Sequence, residues 1–537
     1  AYDEISPIRQ RSMHLRVAQA LETLHNKDLD TVSSQIAAHY EQAGQAQAAI
    51  RFYRRAAAAA QKIYANAEAR RLYSHLLEGE LSASLSAQEK CELMLARADV
   101  WRVTGRWVRA QTILREALAA AEALGDVHLQ AQAERALADV LRLLGYYDEA
   151  LSKLAQAEER FQAVGEGRGV ISALWTRGQI HWSRGDHAQA LAALERQLQI
   201  ATEIEDEHGI SEALETMGMV YWSQGDWDRS ADCCLRSVRI AGPLDYKQTV
   251  ARASITLGNV RSAEHWFGEA VYWYQHAGLL SREIDDRQAI SWATSNIALV
   301  LAKRGDYLRA IAGYERSLSN AWEIGDRWTA CLNVAGLASV HERMGRADLA
   351  EPLYRKAIDL GLRLGIPSYL SGMLVGLARL LLAQGRATEA RDFYGDALTK
   401  IASVAGERLA GEDTRFDARV LGVRLDCALG EISPAEATAK LHALLHQETA
   451  PQRQAVLRYE LWRLTPGDES ARAVVASLCR AQYAETGGAE YRDRVRELTG
   501  ETLPGPPPLP DISELIPDEP EALDLDSLLA ALEAAFE

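Results

Sequence analysis

The stretch GDYLRAIAGY, residues 305–314, is one copy of a pattern that recurs every 40 residues. A small residue follows each turn position after five residues, as Ala310 follows Gly305. A strict period of this kind predicts a repeat architecture in which neighbouring units stack into one continuous core. Glycine occupies seven of the eight turn positions, and a histidine occupies the eighth: Gly105, Gly145, Gly185, Gly225, His265, Gly305, Gly345 and Gly385.

A second series of breaks lies halfway between these turns, for example at Gly125 and Gly325. The two series leave segments of about 15 to 18 residues, the length of ordinary helices. Small residues such as Gly258 precede each turn position by seven residues, where two helices would approach closely. Glycine at the turn suits the left-handed conformation that ends a helix. The sequence therefore predicts an all-α fold of about 40-residue helical hairpins.

Composition narrows the class of protein. The 537 residues carry a net charge of −16, and ten acidic residues with no basic residue between 501 and 537 leave −6 on the rest of the chain. An acidic chain is a poor partner for nucleic acid. The six cysteines form no CxxC pair, and there is no signal peptide or membrane-length apolar run. We expect a cytoplasmic protein with no nucleic-acid or membrane partner.

No group of residues predicts catalysis. His442 and His446 are four residues apart on a predicted helix, but no third metal ligand accompanies them. The glycine-rich segment 165–169 follows a helix instead of a strand, which favours a simple turn over a dinucleotide loop. We therefore predict a non-enzymatic protein with no catalytic residue, no metal and no cofactor.

The combination of small residue, glycine turn, alanine and following aromatic, as in Gly305, Ala310 and Tyr314, resembles the tetratricopeptide repeat (TPR). The resemblance covers roughly residues 30–500 and implies a right-handed superhelix, an α-solenoid. The predicted boundaries are a junction and first helix at 1–29, divergent repeats at 30–90, eight regular repeats at 91–410, divergent helices at 411–500 and an acidic tail at 501–537.

The N-terminal segments 2–9 and 14–22 are similar to the junction between winged-helix and TPR regions in STAND signal-transduction ATPases, which include MalT-like and cyclase-linked bacterial regulators. The chain contains no GxxxxGK[ST] phosphate loop. The resemblance therefore implies the sensor arm of a larger bacterial protein, whose own nucleotide-binding module would precede Ala1. The alternative is a free-standing TPR adaptor that joins two proteins.

In TPR proteins, one face of the first helix of each hairpin lines a concave groove. Here that face corresponds to positions three, six, ten and thirteen residues before each turn. Arginine offers forked donors to carboxylate or phosphate, and tryptophan offers a flat face. We expect a peptide, a protein or a small anion to bind there, although tryptophans that serve only packing remain the alternative. The candidates are Arg102, Arg135, Asp139, Arg142, Trp175, Gln179, Trp182, Met219, Trp222, Arg252, Asn259 and Trp292.

The C-terminal tail has two parts. Residues 503–520 are rich in proline, which predicts an extended linker. The apolar residues that follow suit a short amphipathic helix, marginal unless it packs against a partner. The tail either keeps the chain soluble or docks on an apolar or arginine-bearing surface. Its apolar positions are Leu525, Leu528, Leu529, Leu532 and Phe536.

Overall fold

A computed structural model describes residues 6–364, 367–403 and 411–516. These ranges contain helices, turns and no strand, which confirms the predicted all-α class. The α-helices are α1 (Pro7–Leu24), α2 (Ser33–Gln42), α3 (Ala46–Lys62), α4 (Asn66–Glu78), α5 (Ala87–Val103), α6 (Trp107–Leu124), α7 (Val127–Leu143), α8 (Tyr147–Ala163), α9 (Gly167–Arg184), α10 (His187–Glu203), α11 (Glu207–Ser223), α12 (Trp227–Ala241), α13 (Lys247–Ala263), α14 (Phe267–Glu283), α15 (Arg287–Arg304), α16 (Tyr307–Ile324), α17 (Arg327–Arg343), α18 (Ala347–Leu364), α19 (Pro367–Ala383), α20 (Ala387–Ser403), α21 (Gly411–Ala428), α22 (Pro434–Gln447), α23 (Pro451–Leu464), α24 (Glu469–Thr486) and α25 (Ala489–Thr499).

The turns follow the sequence period. All seven glycines at the 40-residue turn positions have φ between 73° and 85°, the left-handed region that glycine enters without a steric cost. His265 adopts the same conformation with φ of 63°, so it completes the series although it carries a side chain. The halfway turns are also left-handed, at glycines such as Gly125 and at the non-glycine residues Glu205, Asp245 and Asp285. Two left-handed residues per repeat therefore separate the helices.

Small residues permit close contact inside the hairpins. A Cβ placed on Gly258 would lie 2.5 Å from the ring of Tyr274, and one on Gly218 would lie 2.3 Å from Sγ of Cys234. Neither separation is sterically tolerable, so each glycine makes room for the large side chain of the next helix. The predicted small-residue positions are confirmed, and their partners Tyr274 and Cys234 are almost completely buried.

The chain divides into two compact units. Unit 1 comprises Ala1–Ile180, Glu195–Ile210 and Leu280–Arg287. Unit 2 comprises His181–Leu194, Ser211–Leu279 and Gln288–Glu537.

Within unit 1, distant parts of the sequence meet. Asn66, at the start of α4, donates a hydrogen bond from Nδ2 to the backbone oxygen of Ile284, at 3.1 Å. Asn66 is itself buried. The turn that precedes α15 therefore lies beside the first turn of α4.

In unit 2, the residues after α25 pack against the helical array. Residues 501–516 have no regular helix, yet Ile512, Leu515 and Ile516 are each at most 1% exposed. Leu515 lies so close to Gly278 of α14 that a Cβ there would be 2.6 Å from it. Tyr483 of α24 donates a hydrogen bond to the backbone oxygen of Pro504 at 2.5 Å. This segment therefore belongs to the core of unit 2, whereas the predicted amphipathic helix beyond it lies outside the described residues.

None of the helices in the ranges above is both long enough and apolar enough to cross a bilayer.

Candidate functional site

Four of the predicted groove residues form a charged network in unit 1. Arg102 lies one turn after Asp99 on α5, and Arg142 lies one turn after Asp139 on α7, a spacing that places the paired side chains on one helix face. Nη2 of Arg102 is 2.8 Å from Oδ1 of Asp99, and Nη2 of Arg142 is 2.9 Å from Oδ1 of Asp139. Nε of Arg102 also lies 3.5 Å from Oδ2 of Asp139, which links the two helices.

Asp139 is the centre of this network. Its residue is 1% exposed, and burial by itself would raise the pKa of its carboxyl group. The positive charges of Arg142, Arg102 and Arg135 outweigh that effect and lower the pKa to about 2. Burial also opposes the charged form of Arg102, but Asp99 and Asp139 hold its pKa above the ordinary value. Arg102 and Arg142 are therefore largely neutralised by the protein's own carboxylates.

Arg135 occupies a different position beside the network. It interacts with the charge of Asp139 and lines a cavity of about 360 Å³. Gln132 and Arg168 line the same cavity. Arg135 is half-buried, so its guanidinium group faces this cavity more freely than those of Arg102 and Arg142.

A cluster of aromatic side chains lies in unit 2. The ring of Trp328 is 6.5 Å from that of Trp182, 6.1 Å from that of Trp292 and 5.5 Å from that of Tyr369, measured between centroids. These separations are in the range in which aromatic rings attract each other. We call these four residues the aromatic cluster. All four are half-buried, so each keeps part of its side chain accessible.

Hydrogen bonds orient two rings of the aromatic cluster. Nε1 of Trp182 donates to Oγ of Ser223 at 2.9 Å. Nε1 of Trp292 donates to Oγ1 of Thr329 at 2.8 Å. Because the indole N–H groups are satisfied within the protein, what these rings offer a ligand is their apolar faces.

Sequence reasoning identified Trp182 and Trp292 but missed Trp328 and Tyr369. Trp328 lies 17 residues before Gly345, one helical turn beyond the thirteenth position at which the predicted face was ended. Extending that face by one turn would have included it. Tyr369 lies 16 residues before the next turn glycine and is brought to the cluster by packing.

The other predicted residues have different surroundings. Trp175, Gln179, Met219 and Arg252 are each less than 10% exposed. Asn259 accepts hydrogen bonds from Tyr274 at 2.8 Å and from Asn296 at 3.1 Å. Trp222 is half-buried and has no ring contact with another aromatic residue in the described ranges. The ligand-binding role of all twelve candidates stays a prediction.

No set of three or more histidine, cysteine, aspartate or glutamate side chains arranged to hold a metal ion occurs among the described residues.

A family comparison bears directly on these repeats. The tetratricopeptide repeat family model matches residues 169–242 and 328–401. Both segments are TPR repeats. They include Trp182 in the first match and Trp328 and Tyr369 in the second. The aromatic cluster is therefore built largely from TPR helices, a repeat type suited to binding proteins and peptides. A comparison with curated proteins finds no match.

Several solved structures are similar in fold. A Rap protein complexed with competence and sporulation factor is 14% identical over 66% of this chain and 98% of its own, with a TM-score of 0.49. A STAND protein with a TPR sensor from Pyrococcus horikoshii is 15% identical over 66% of this chain and 53% of its own, with a TM-score of 0.40. An APC/C hetero-tetramer is 14% identical, covers 92% of both chains and has a TM-score of 0.44. Identities this low carry no inference about ligands.

Proposed function

We propose that this TPR chain is a non-enzymatic binding arm that holds a peptide, or a peptide-like segment of a protein, against the aromatic cluster. The observation that carries the proposal is the grouping of three tryptophans and a tyrosine, all partly accessible, on TPR helices of unit 2. Large aromatic side chains that are clustered and partly accessible are typical of the residues that dominate binding energy at interfaces.

The chemistry of the cluster favours an apolar or aromatic side chain as the anchor of the ligand. The N–H groups of Trp182 and Trp292 are already bonded to Ser223 and Thr329, so they offer the ligand ring faces and edges. Such surfaces bind apolar, aromatic or cationic groups. The predicted arginine candidates Arg102 and Arg142 are paired with aspartates, which makes them weaker candidates for an anionic ligand.

The experiment selects peptides from a random library on the full chain and measures their affinity by fluorescence polarisation. Trp328→Ala removes the ring shared by three aromatic contacts, and we expect it to weaken the selected peptide about 30-fold, the effect of a binding hot spot. Trp227→Ala is the matched control, because Trp227 is an exposed tryptophan of unit 2 outside the cluster. Equal affinities in the two variants would contradict the proposal.

The finer proposal is that this arm is the sensor of a STAND ATPase. It is supported by the similarity of segments 2–9 and 14–22 to the junction before STAND TPR arrays. Ligand binding would favour one conformation of the array and thereby release the nucleotide-binding module. The free-standing adaptor remains the second candidate, since TPR repeats serve equally well as scaffolds.

The two candidates differ in what precedes Ala1. A reading frame that encodes a phosphate loop and a winged helix upstream supports the sensor, and a frame without them supports the adaptor. In the sensor case, the selected peptide should change the ATP hydrolysis rate of the full-length protein, and Trp328→Ala should remove that response. An upstream ATPase indifferent to every peptide that binds the arm would rule the sensor out.

A further inference from the structure

A second group of arginines surrounds an open cavity of about 560 Å³ in unit 1. Arg70 projects from α4, Arg106 immediately precedes α6, and Arg109 lies in the first turn of α6. We call these three residues the arginine cluster. Ser74 and Trp101 line the same cavity. None of these residues was a candidate on sequence grounds.

The arginine cluster lacks protein partners. Within the part of the chain that the structure describes, no hydrogen bond or ion pair engages the guanidinium group of Arg70, Arg106 or Arg109. The nearby carboxylates are used elsewhere: Glu68 holds Arg71 through two bonds of 2.8 and 2.6 Å, and Glu78 pairs with Arg97. The cavity therefore presents unpaired positive charge.

The positive groups repel one another. Arg106 is partly desolvated, and the charges of Arg70, Arg109 and Arg287 add to that effect, so the pKa of Arg106 is lowered from its ordinary value. Asp285 attracts Arg70 and Arg287, but it forms no hydrogen bond with Arg70 in the described structure. Such an arrangement costs free energy unless an anion compensates it.

Two further groups of donors point to an anion. The first turn of α6 contains no acidic residue, and its N-cap residue Arg106 provides no side-chain cap, so the positive end of the helix dipole adds to the arginine charges. Nε1 of Trp101 is buried without an acceptor among the described residues. Buried donors of this kind nearly always have a partner in a complete complex. The cavity has many donors and lacks acceptors.

We propose that this cavity binds a small organic polyphosphate, of the nucleoside diphosphate or triphosphate class. Guanidinium groups bind phosphate oxygens in pairs of short, charge-assisted hydrogen bonds, and three unpaired arginines match a ligand with more than one phosphate. The cavity volume of about 560 Å³ is typical of small-molecule sites. The net charge of −16 disfavours a long polyanion, which would extend beyond the local positive field of about 8 Å.

The experiment titrates the full chain with pyrophosphate and, separately, with ATP by isothermal calorimetry in 50 mM NaCl. We expect both to bind, with ATP the tighter ligand because the cavity can also contact its nucleoside. Arg106→Gln and Arg70→Gln should each weaken binding about tenfold or more, since each removes charged hydrogen bonds. Arg115→Gln is the matched control, because Arg115 is an exposed arginine of α6 that pairs with Glu149 instead of lining the cavity.

The outcomes separate the proposal from its alternatives. Binding that Arg115→Gln leaves within about twofold and the two cavity variants weaken would support it. Absence of pyrophosphate and ATP binding at millimolar concentration would overturn it, as would equal binding by all variants. Tighter binding of a polyglutamate peptide than of ATP would assign the cavity to an acidic protein partner instead. Circular dichroism melting of each variant confirms that lost binding does not reflect unfolding.

Discussion

Unit 1 holds two groups of arginines with identical side chains and opposite surroundings. Arg102 and Arg142 surround the buried carboxylate of Asp139, and their charges are largely cancelled. Arg70 and Arg106 share a cavity with no carboxylate bonded to them. The first arrangement ties α5 to α7 and stabilises the fold, whereas the second leaves charge available for a ligand. Arginine content therefore does not identify a binding site until the positions of the carboxylates are known.

The largest effect should follow from removing the carboxylate of the first group. Asp139→Asn leaves Arg142 without its ion-pair partner in a buried environment, and we expect the free energy of unfolding to fall by about 3–5 kcal/mol. Urea denaturation at pH 7 measures the change. Glu149→Gln is the control, because its exposed pair with Arg115 should contribute less than about 1 kcal/mol. Similar losses in the two variants would show that burial of Asp139 is not decisive.

Acid should weaken the first group in the same way. The pKa of Asp139 is lowered from 3.8 to about 2 in the folded state, so its stabilising contribution is complete above the unfolded pKa and is lost as the pH falls from about 4 towards 2. A shift of this size corresponds to about 2.5 kcal/mol. Urea titrations of the native chain and Asp139→Asn at several pH values should show the difference between them shrinking over that range. A constant difference would contradict the assignment.

Adding a carboxylate to the second group should make it resemble the first. Ser74 lines the arginine cavity and is half-buried, so Ser74→Asp places a negative charge beside unpaired arginines. We expect the free energy of unfolding to rise by about 0.5–1 kcal/mol and phosphate binding to weaken. Thermal unfolding in 50 mM NaCl tests this, with Ser152→Asp on the exposed surface of α8 as the control. Destabilisation of Ser74→Asp relative to Ser152→Asp would argue against a positive cavity.

The smallest effect concerns a single unpaired charge. Arg106→Gln relieves repulsion from Arg70 and Arg109, so in 50 mM NaCl it should leave the protein as stable as before or more stable by a few tenths of a kcal/mol. The gain should vanish in 0.5 M NaCl because salt screens exposed charges. Differential scanning calorimetry at both salt concentrations measures it. A clear loss of stability at low salt would mean that Arg106 has a structural partner.

Local sequence was sufficient for the hairpins. The left-handed turns depend on single residues and their neighbours, so a glycine period predicts them, and even His265 follows the period. Close contacts such as that between Gly258 and Tyr274 were also predictable, because small residues recur at one helical position. The segment 501–516 could not be placed in this way, since the burial of Leu515 depends on a surface supplied by α14.

The candidate sites were only partly predictable. A helical face drawn on each repeat found Trp182 and Trp292, because residues on one face of equivalent helices come together when repeats stack. It ended one turn too early to reach Trp328. It also could not separate arginines that pair with aspartates from those that do not, since that depends on which neighbouring helix supplies the carboxylate.

The sequence by itself determined the repeating helical hairpin, because turn conformation and helix periodicity are local properties that each 40-residue copy restates. Only the tertiary structure decided which charges and rings meet. Arg70 and Arg106 are 36 residues apart and lie on different elements, and Trp182 meets Trp328 across 146 residues. Coulomb energy and aromatic contact depend on distance in space, which the order of residues along the chain does not specify.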